Sequence, residues 1–145
     1  LNSSIIKAFA LSKEDKERII DTLKGVLSKE NKVVLAFLYG SFLDDGPFRD
    51  IDIGVFVKDP SVLPPLYEME LEVNLEEAID KAFPVDARVI NKAPFTFAYH
   101  VIQGKLLLCR DDSLFADLVT TIARKYHDIQ PLLSHYQREA YGSSN

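Results

Sequence analysis

Apolar residues recur along this chain in two rhythms, one helical and one extended. Ile19, Ile20, Leu23, Val26 and Leu27 follow at the three- and four-residue steps of an amphipathic helix. Ser12-Lys13-Glu14-Asp15 ahead of them has the form of a capping box with Asp in place of Glu, and Asn31-Lys32 closes the helix. Val33 to Tyr39 is unbroken and apolar, as expected of a strand covered on both faces. Gly40 and Ser41 end that strand, and Asp44-Asp45-Gly46-Pro47 signals a turn. Ile51 to Val57 predicts a second strand, ended by Asp59-Pro60. Pro64-Pro65 suits a helix start, and Leu75, Ile79, Ala82 and Phe83 carry the helical pattern from Leu66 to Phe83, where Pro84 stops it. From Val85 to Ile90, Val85, Ala87 and Val89 alternate with Asp86 and Arg88, a third strand with one polar face. Pro94 opens a short helix through Gln103. Gly104 then turns the chain into a short edge strand, Lys105 to Cys109. Leu114, Phe115, Leu118, Val119, Ile122 and Tyr126 mark another helix. Pro131 is expected to interrupt or re-aim it, with a last helical segment running to about Ala140. Residues 1–11 are expected to form an arm or short helix, and residues 142–145 a frayed tail.

Strands interleaved with helices predict an α/β (α+β) chain, with a small sheet of three to four strands packed against helices. The 145 residues suit one domain, 1–145, in which 111–141 form a C-terminal helical segment. A hydrophobic content of 47% with 27% charged residues excludes a disordered chain. Seventeen Lys and Arg against 22 Asp and Glu give a net charge of −5, which disfavours extended nucleic-acid binding. The lone cysteine, Cys109, excludes an internal disulfide and a multi-thiolate zinc site, and reads as a buried strand residue. His100, His127 and His135 are not spaced as a helical metal pair and read as surface or interface residues. No apolar run reaches the length of a membrane span and no signal peptide is evident, so a cytoplasmic protein is expected. No strand is followed by Gly-x-Gly-x-x-Gly, and the P-loop pattern is absent.

The segment from Tyr39 to Val55 carries the chemistry. Asp50 and Asp52, two positions apart at the start of an apolar strand, share one face and repel each other. They are either strand-end surface residues or ligands of a hard divalent cation, and Mg²⁺ favours one or two carboxylates plus substrate phosphates. Gly40 and Ser41, directly after a buried strand, allow close backbone approach to a phosphate. A helix starting at Ser41 would add a favourable N-terminus. Asp86, on the polar face of the third strand, supplies the third carboxylate that a two-metal centre uses. Arg88, on the same face, either pairs with a carboxylate or steadies a triphosphate. Arg49 and Lys58 are further possible phosphate contacts.

A Gly-Ser after the first strand, an Asp-x-Asp on the second and an Asp on the next resemble the signature of DNA polymerase beta-type nucleotidyltransferases. The small size resembles the minimal nucleotidyltransferases (MNT). Pro84-Val85-Asp86-Ala87-Arg88-Val89-Ile90-Asn91 resembles their third-carboxylate strand. The stretch from Ala93-Pro94 to Asp112, with Tyr126-His127-Asp128-Ile129, resembles the MNT partners of HEPN ribonuclease toxins. The loop between Ser41 and Asp50 is shorter than is common in antitoxin members, and Arg49 stands where many relatives have Ser. The resemblance implies a polymerase beta-like fold and a Mg²⁺-dependent transfer of AMP from ATP to a hydroxyl, most simply a tyrosine of a HEPN toxin in a hetero-oligomer. Gly40 and Ser41, with Arg49 and Arg88, would bind the nucleotide. Asp50, Asp52 and Asp86 would be the metal ligands and catalytic residues, Asp86 also activating the acceptor. Two alternatives stay open: transfer to a small molecule such as an aminoglycoside, whose enzymes usually carry a further helical domain, and a non-catalytic module that masks a partner.

Glu68, Glu70, Glu72, Glu76, Glu77 and Asp80 crowd the helix before the third strand. Such a run is ordinarily a solvated face. Like charges at Glu72/Glu76 and Glu76/Asp80 destabilise a helix slightly, so a basic partner would relieve them.

Overall fold

The computed structural model describes residues 8–127 and 129–141; the expected frayed tail and most of the expected N-terminal arm lie outside them. α1 (Lys13–Ser28) is capped by the Ser12 hydroxyl, which accepts from the Asp15 N–H, and it buries Ile20, Leu23 and Leu27. β1 (Val33–Tyr39), β2 (Ile51–Val57), β3 (Val85–Val89) and β4 (Lys105–Cys109) form one mixed sheet in the order β3-β2-β1-β4. β1 runs antiparallel to β2 and β4, and β2 runs parallel to β3. α2 (Tyr67–Ala78) makes the crossover between the parallel pair. α3 (Phe95–Ile102) precedes β4, and α4 (Asp112–Lys125) and α5 (Ile129–Tyr141) follow it.

The sheet is the middle layer of three. On one side Ile51, Ile53, Val55 and Val57 pack with Leu23 and Leu27 of α1 and Leu71 and Leu75 of α2. On the other, Leu35, Phe37 and Tyr39 pack with Val101 and Ile102 of α3, Val119 and Ile122 of α4, and Leu132 and Tyr136 of α5. Burial on both faces explains why β1 reads as a continuous apolar run. α5 is tied back onto the turn before β4: the Tyr136 hydroxyl donates to the Ile102 carbonyl, and His135 Nε2 lies 2.7 Å from the Gly104 carbonyl. Asn91, just after β3, behaves as a strand residue in side-chain form. Its Oδ1 accepts from the Val57 N–H at 2.9 Å, and its Nδ2 donates to the Val57 carbonyl at 2.8 Å.

Several element ends differ from expectation. α2 stops at Ala78 rather than Phe83, because Asp80 and Lys81 both take left-handed backbone conformations with φ of 56°. Ile79 is buried as expected, but Ala82 is exposed. β3 ends at Val89. The chain re-aims at His127, with φ of 53°, and not at Pro131, which lies inside the first turn of α5. Cys109 is only half-buried, its Sγ 3.4 Å from Asp112 Oδ1.

The acidic crowding on α2 has a structural use. Glu76, Glu72 and Glu68 each accept one backbone N–H of β3, from Val85, Ala87 and Val89 respectively, all at 2.8 Å. Four helical residues advance about 6 Å, and two strand residues about 6.6 Å. A helix laid along a strand can therefore place every fourth carboxylate against every second N–H. These three glutamates are neither a purely solvated face nor an unrelieved set of like charges.

Candidate active site

The carboxylate cluster is built by strand register. Tyr39 of β1 pairs with Asp52 of β2, and Asp52 pairs with Asp86 of β3, so the three side chains form one row across the sheet. That row lies on the face covered further along by α3, α4 and α5. Asp50 sits just ahead of β2, where Ile51 N–H bonds the Pro84 carbonyl at 2.9 Å and locks the two strand starts together. Arg88, two residues after Asp86, reaches it at 3.4 and 3.5 Å through Nε and a terminal nitrogen, and its guanidinium lies 5.7 Å over the Phe97 ring. Of its two expected uses, the structure places Arg88 on a carboxylate.

Burial, with Asp50 and Asp86 beside it, pushes the Asp52 carboxyl up to about 7. Tyr39, packed edge-on against His100 at 5.4 Å and Phe97 at 5.8 Å, has its phenol pushed up by burial and by Asp52 and Asp86. The three carboxylates sit together, each half-buried, with Arg88 the cation beside them. The donors are all carboxylate oxygens, the set a hard divalent cation takes, and the excess negative charge is the charge such a cation would neutralise. Among the described residues, no three His, Cys, Asp or Glu side chains are already gathered closely enough to hold a metal ion. The chemistry of the donors fits Mg²⁺, with carboxylates that have to draw together around it.

Gly40 borders this row directly. Its φ is 86°, and a Cβ at that position would overlap Asp52 Oδ2. Glycine is thus required both by the backbone and by the carboxylate beside it. The helix whose start at Ser41 would have added an anion site is a single 3-10 turn, Ser41–Leu43, so little helix dipole is available.

The loop after that turn is pinned from below. Phe42 and Phe48 are both 1% exposed and pack edge to face at 4.7 Å. Phe9, from the N-terminal arm, pairs its backbone with Phe48, and Phe83 packs edge to face against both rings. Lys16 of α1 was not singled out by sequence pattern, yet it is 9% exposed and the one buried charged residue among those described. Its Nζ donates to the Asp44 carbonyl at 2.7 Å and lies 5.3 and 5.2 Å from the centres of the Phe42 and Phe48 rings. Arg49 and Lys58 are exposed, and no bond links either of them to the row. The histidines do not cluster: His100 packs on Tyr39, His127 is exposed and His135 holds the Gly104 carbonyl.

The family model "Polymerase beta, Nucleotidyltransferase" matches residues 21–113, which run from the middle of α1 to the start of α4 and contain every residue of the row. No curated protein matches the chain in sequence. Among solved structures, the chain is similar to one described as a tri-AMPylated Shewanella oneidensis HEPN toxin in complex with MNT antitoxin. That match has 21% identity and a TM-score of 0.59, covering 89% of this chain and 97% of the other. A toxin–antitoxin structure with AMP-PNP is 25% identical, with a TM-score of 0.56 and coverage of 89% and 96%. A related MntA–HpeT complex carries two Asp-to-Glu changes two positions apart; it is 25% identical, with a TM-score of 0.57 and the same coverage. Among the described residues no helix is long and apolar enough to cross a membrane. With the family model spanning well over half of the chain and the fold and carboxylate row in place, this protein belongs to the polymerase beta nucleotidyltransferase family.

Proposed function

We propose that the protein transfers AMP from ATP, with Mg²⁺, to a tyrosine hydroxyl of a HEPN ribonuclease toxin, and acts as that toxin's antitoxin in a hetero-oligomer. The observation that carries the reading is the register-matched row of Asp52 and Asp86 with Gly40 packed against the Asp52 carboxylate. The AMP-bearing HEPN toxin and the AMP-PNP complex among the structural relatives support it.

In this reading the backbone at Gly40 and Ser41 holds the triphosphate, while Arg88 stays paired with Asp86. Asp50, Asp52 and Asp86 are the residues that would hold Mg²⁺, which when bound neutralises charge on the phosphates and on the attacking and leaving oxygens. Asp86 stands at the open end of the row and accepts the proton of the acceptor hydroxyl. The phenolic oxygen attacks the α-phosphorus, an oxygen–phosphorus bond forms, the bond from the α-phosphorus to the bridging oxygen breaks, and pyrophosphate leaves. A phosphodiester on the toxin adds negative charge and bulk where RNA must bind, which opposes cleavage.

The test is co-expression with the helical protein of the adjacent reading frame, followed by intact-mass measurement. One or more AMP masses on a partner tyrosine are expected, lost on Asp86→Ala while the complex persists. A partner that is neutralised but never modified refutes AMP transfer in favour of masking. Labelling of a small aminoglycoside instead points to the other acceptor class.

A further inference from the structure

α2 is apolar on two separate faces. Tyr67, Leu71 and Leu75 enter the core with no more than 6% exposure. Leu66, Met69 and Val73, at 58%, 56% and 48% exposure, line up at i, i+3 and i+7 on the solvent side. The glutamate row that bonds β3 runs between the two faces. Leu66 and Met69 of the outer stripe also wall an open groove of about 740 Å³, together with Pro94 and Phe97, and Asp86 and Arg88 line the same groove. A solvent-exposed apolar stripe sharing a groove with a carboxylate of the site needs an occupant, since leaving these side chains wet forfeits the gain of burying them.

The charge around the stripe limits what that occupant can be. α2 carries Glu68, Glu70, Glu72, Glu76 and Glu77 and no lysine or arginine. Glu68 and Glu72 each use one carboxylate oxygen on β3. RNA would be repelled. A small acceptor would fill the groove but has no use for Val73, a full turn further along the helix.

We infer that the Leu66-Met69-Val73 stripe and the adjoining groove dock the protein acceptor, through apolar side chains rimmed by lysine or arginine, and so deliver its hydroxyl to Asp86. This rests on the protein-acceptor reading above and adds the surface that selects the partner. The stripe gives affinity, the glutamates give orientation and reject polyanions, and the groove leads the acceptor side chain to the site.

The test uses the full chain and the co-expressed helical protein, with Met69→Arg and Val73→Arg, both on the exposed side of α2, where substitution leaves the core untouched. Three quantities are read: partner binding by sedimentation, the KM for partner in AMP transfer, and the Kd for Mg²⁺-ATP. Each variant is expected to raise partner Kd and KM at least about tenfold and to leave the nucleotide Kd within about twofold. Wild-type binding should weaken as salt rises. Partner binding unchanged in both variants overturns the inference, whatever happens to transfer. So does a wild-type protein that binds no partner, or a stripe whose substitution abolishes only self-association. A wild-type complex that forms but never gains AMP refutes the transfer reading instead, and the binding comparison still decides the stripe.

Discussion

Asp52→Asn should make the ligand-free protein more stable, and the protein with Mg²⁺-ATP less stable than wild type. The folded carboxyl titrates near 7 instead of 3.8, so between those pH values the native state holds more proton than the unfolded chain. The associated stability is therefore fully present below about pH 4 and is lost as pH rises through 7. A shift of this size corresponds at face value to about 4 kcal/mol. Asp52 is only half-buried, and water screens its neighbours, so ~1–2 kcal/mol is the realistic cost of ionising it in the apo fold. Asparagine keeps the shape without the charge, so the variant should gain that amount at pH 8 and almost none at pH 4. By the usual scaling its Tm should rise by roughly 3–6 °C at pH 8. Saturating Mg²⁺-ATP should then raise only the wild type, by about 2.7 kcal/mol at a hundred times Kd, and reverse the order. Thermal unfolding at pH 4, 6 and 8, with and without both ligands, measures all of this. An Asp52→Asn variant that is less stable at pH 8, or one that Mg²⁺-ATP stabilises as much as wild type, refutes the assignment of Asp52 as a strained ligand carboxylate.

Gly40→Ala places a methyl group on the Asp52 carboxylate at a φ of 86°; it should cost about 1–2 kcal/mol in stability and abolish detectable Mg²⁺-ATP binding by calorimetry. Lys16→Met should raise the nucleotide Kd by roughly five- to tenfold, because it removes a charged hydrogen bond beneath the Ser41–Leu43 turn. Lys16→Arg should recover part of the loss. An unchanged Kd in the methionine variant would show that the turn holds its shape unaided.

Three strands were legible to the residue, β1, β2 and β4, because turn residues bound each apolar run. α2 was overextended because Ile79 and Phe83 continue its four-residue spacing, although two left-handed residues separate them. Proline at 131 looked like a breaker, but in the first turn of a helix the N–H it lacks would have had no partner anyway. The Asp50, Asp52 and Asp86 group was legible from the period of two, which fixes faces. That Tyr39 joins the row was not, since it depends on which residues pair across strands. Lys16 was hidden for the same reason: its carbonyl partner lies 28 residues away, and nothing local distinguishes it from the other lysines of α1.

The glutamates that link α2 to β3 also decide where the sheet stops. β3 is an outer strand, and an outer strand with free N–H groups is a template for a strand from another molecule. Here the three outward N–H groups already have acceptors, and an approaching strand would have to displace carboxylates that carry charge as well as hydrogen bonds. The edge is sealed by side chains and not by bulk, which leaves the strand start and Asp86 open to a substrate while closing the same edge to fibrillar addition. Substitutions at positions 68, 72 and 76 should therefore be felt first as lost solubility at high concentration, ahead of any change in the transfer reaction.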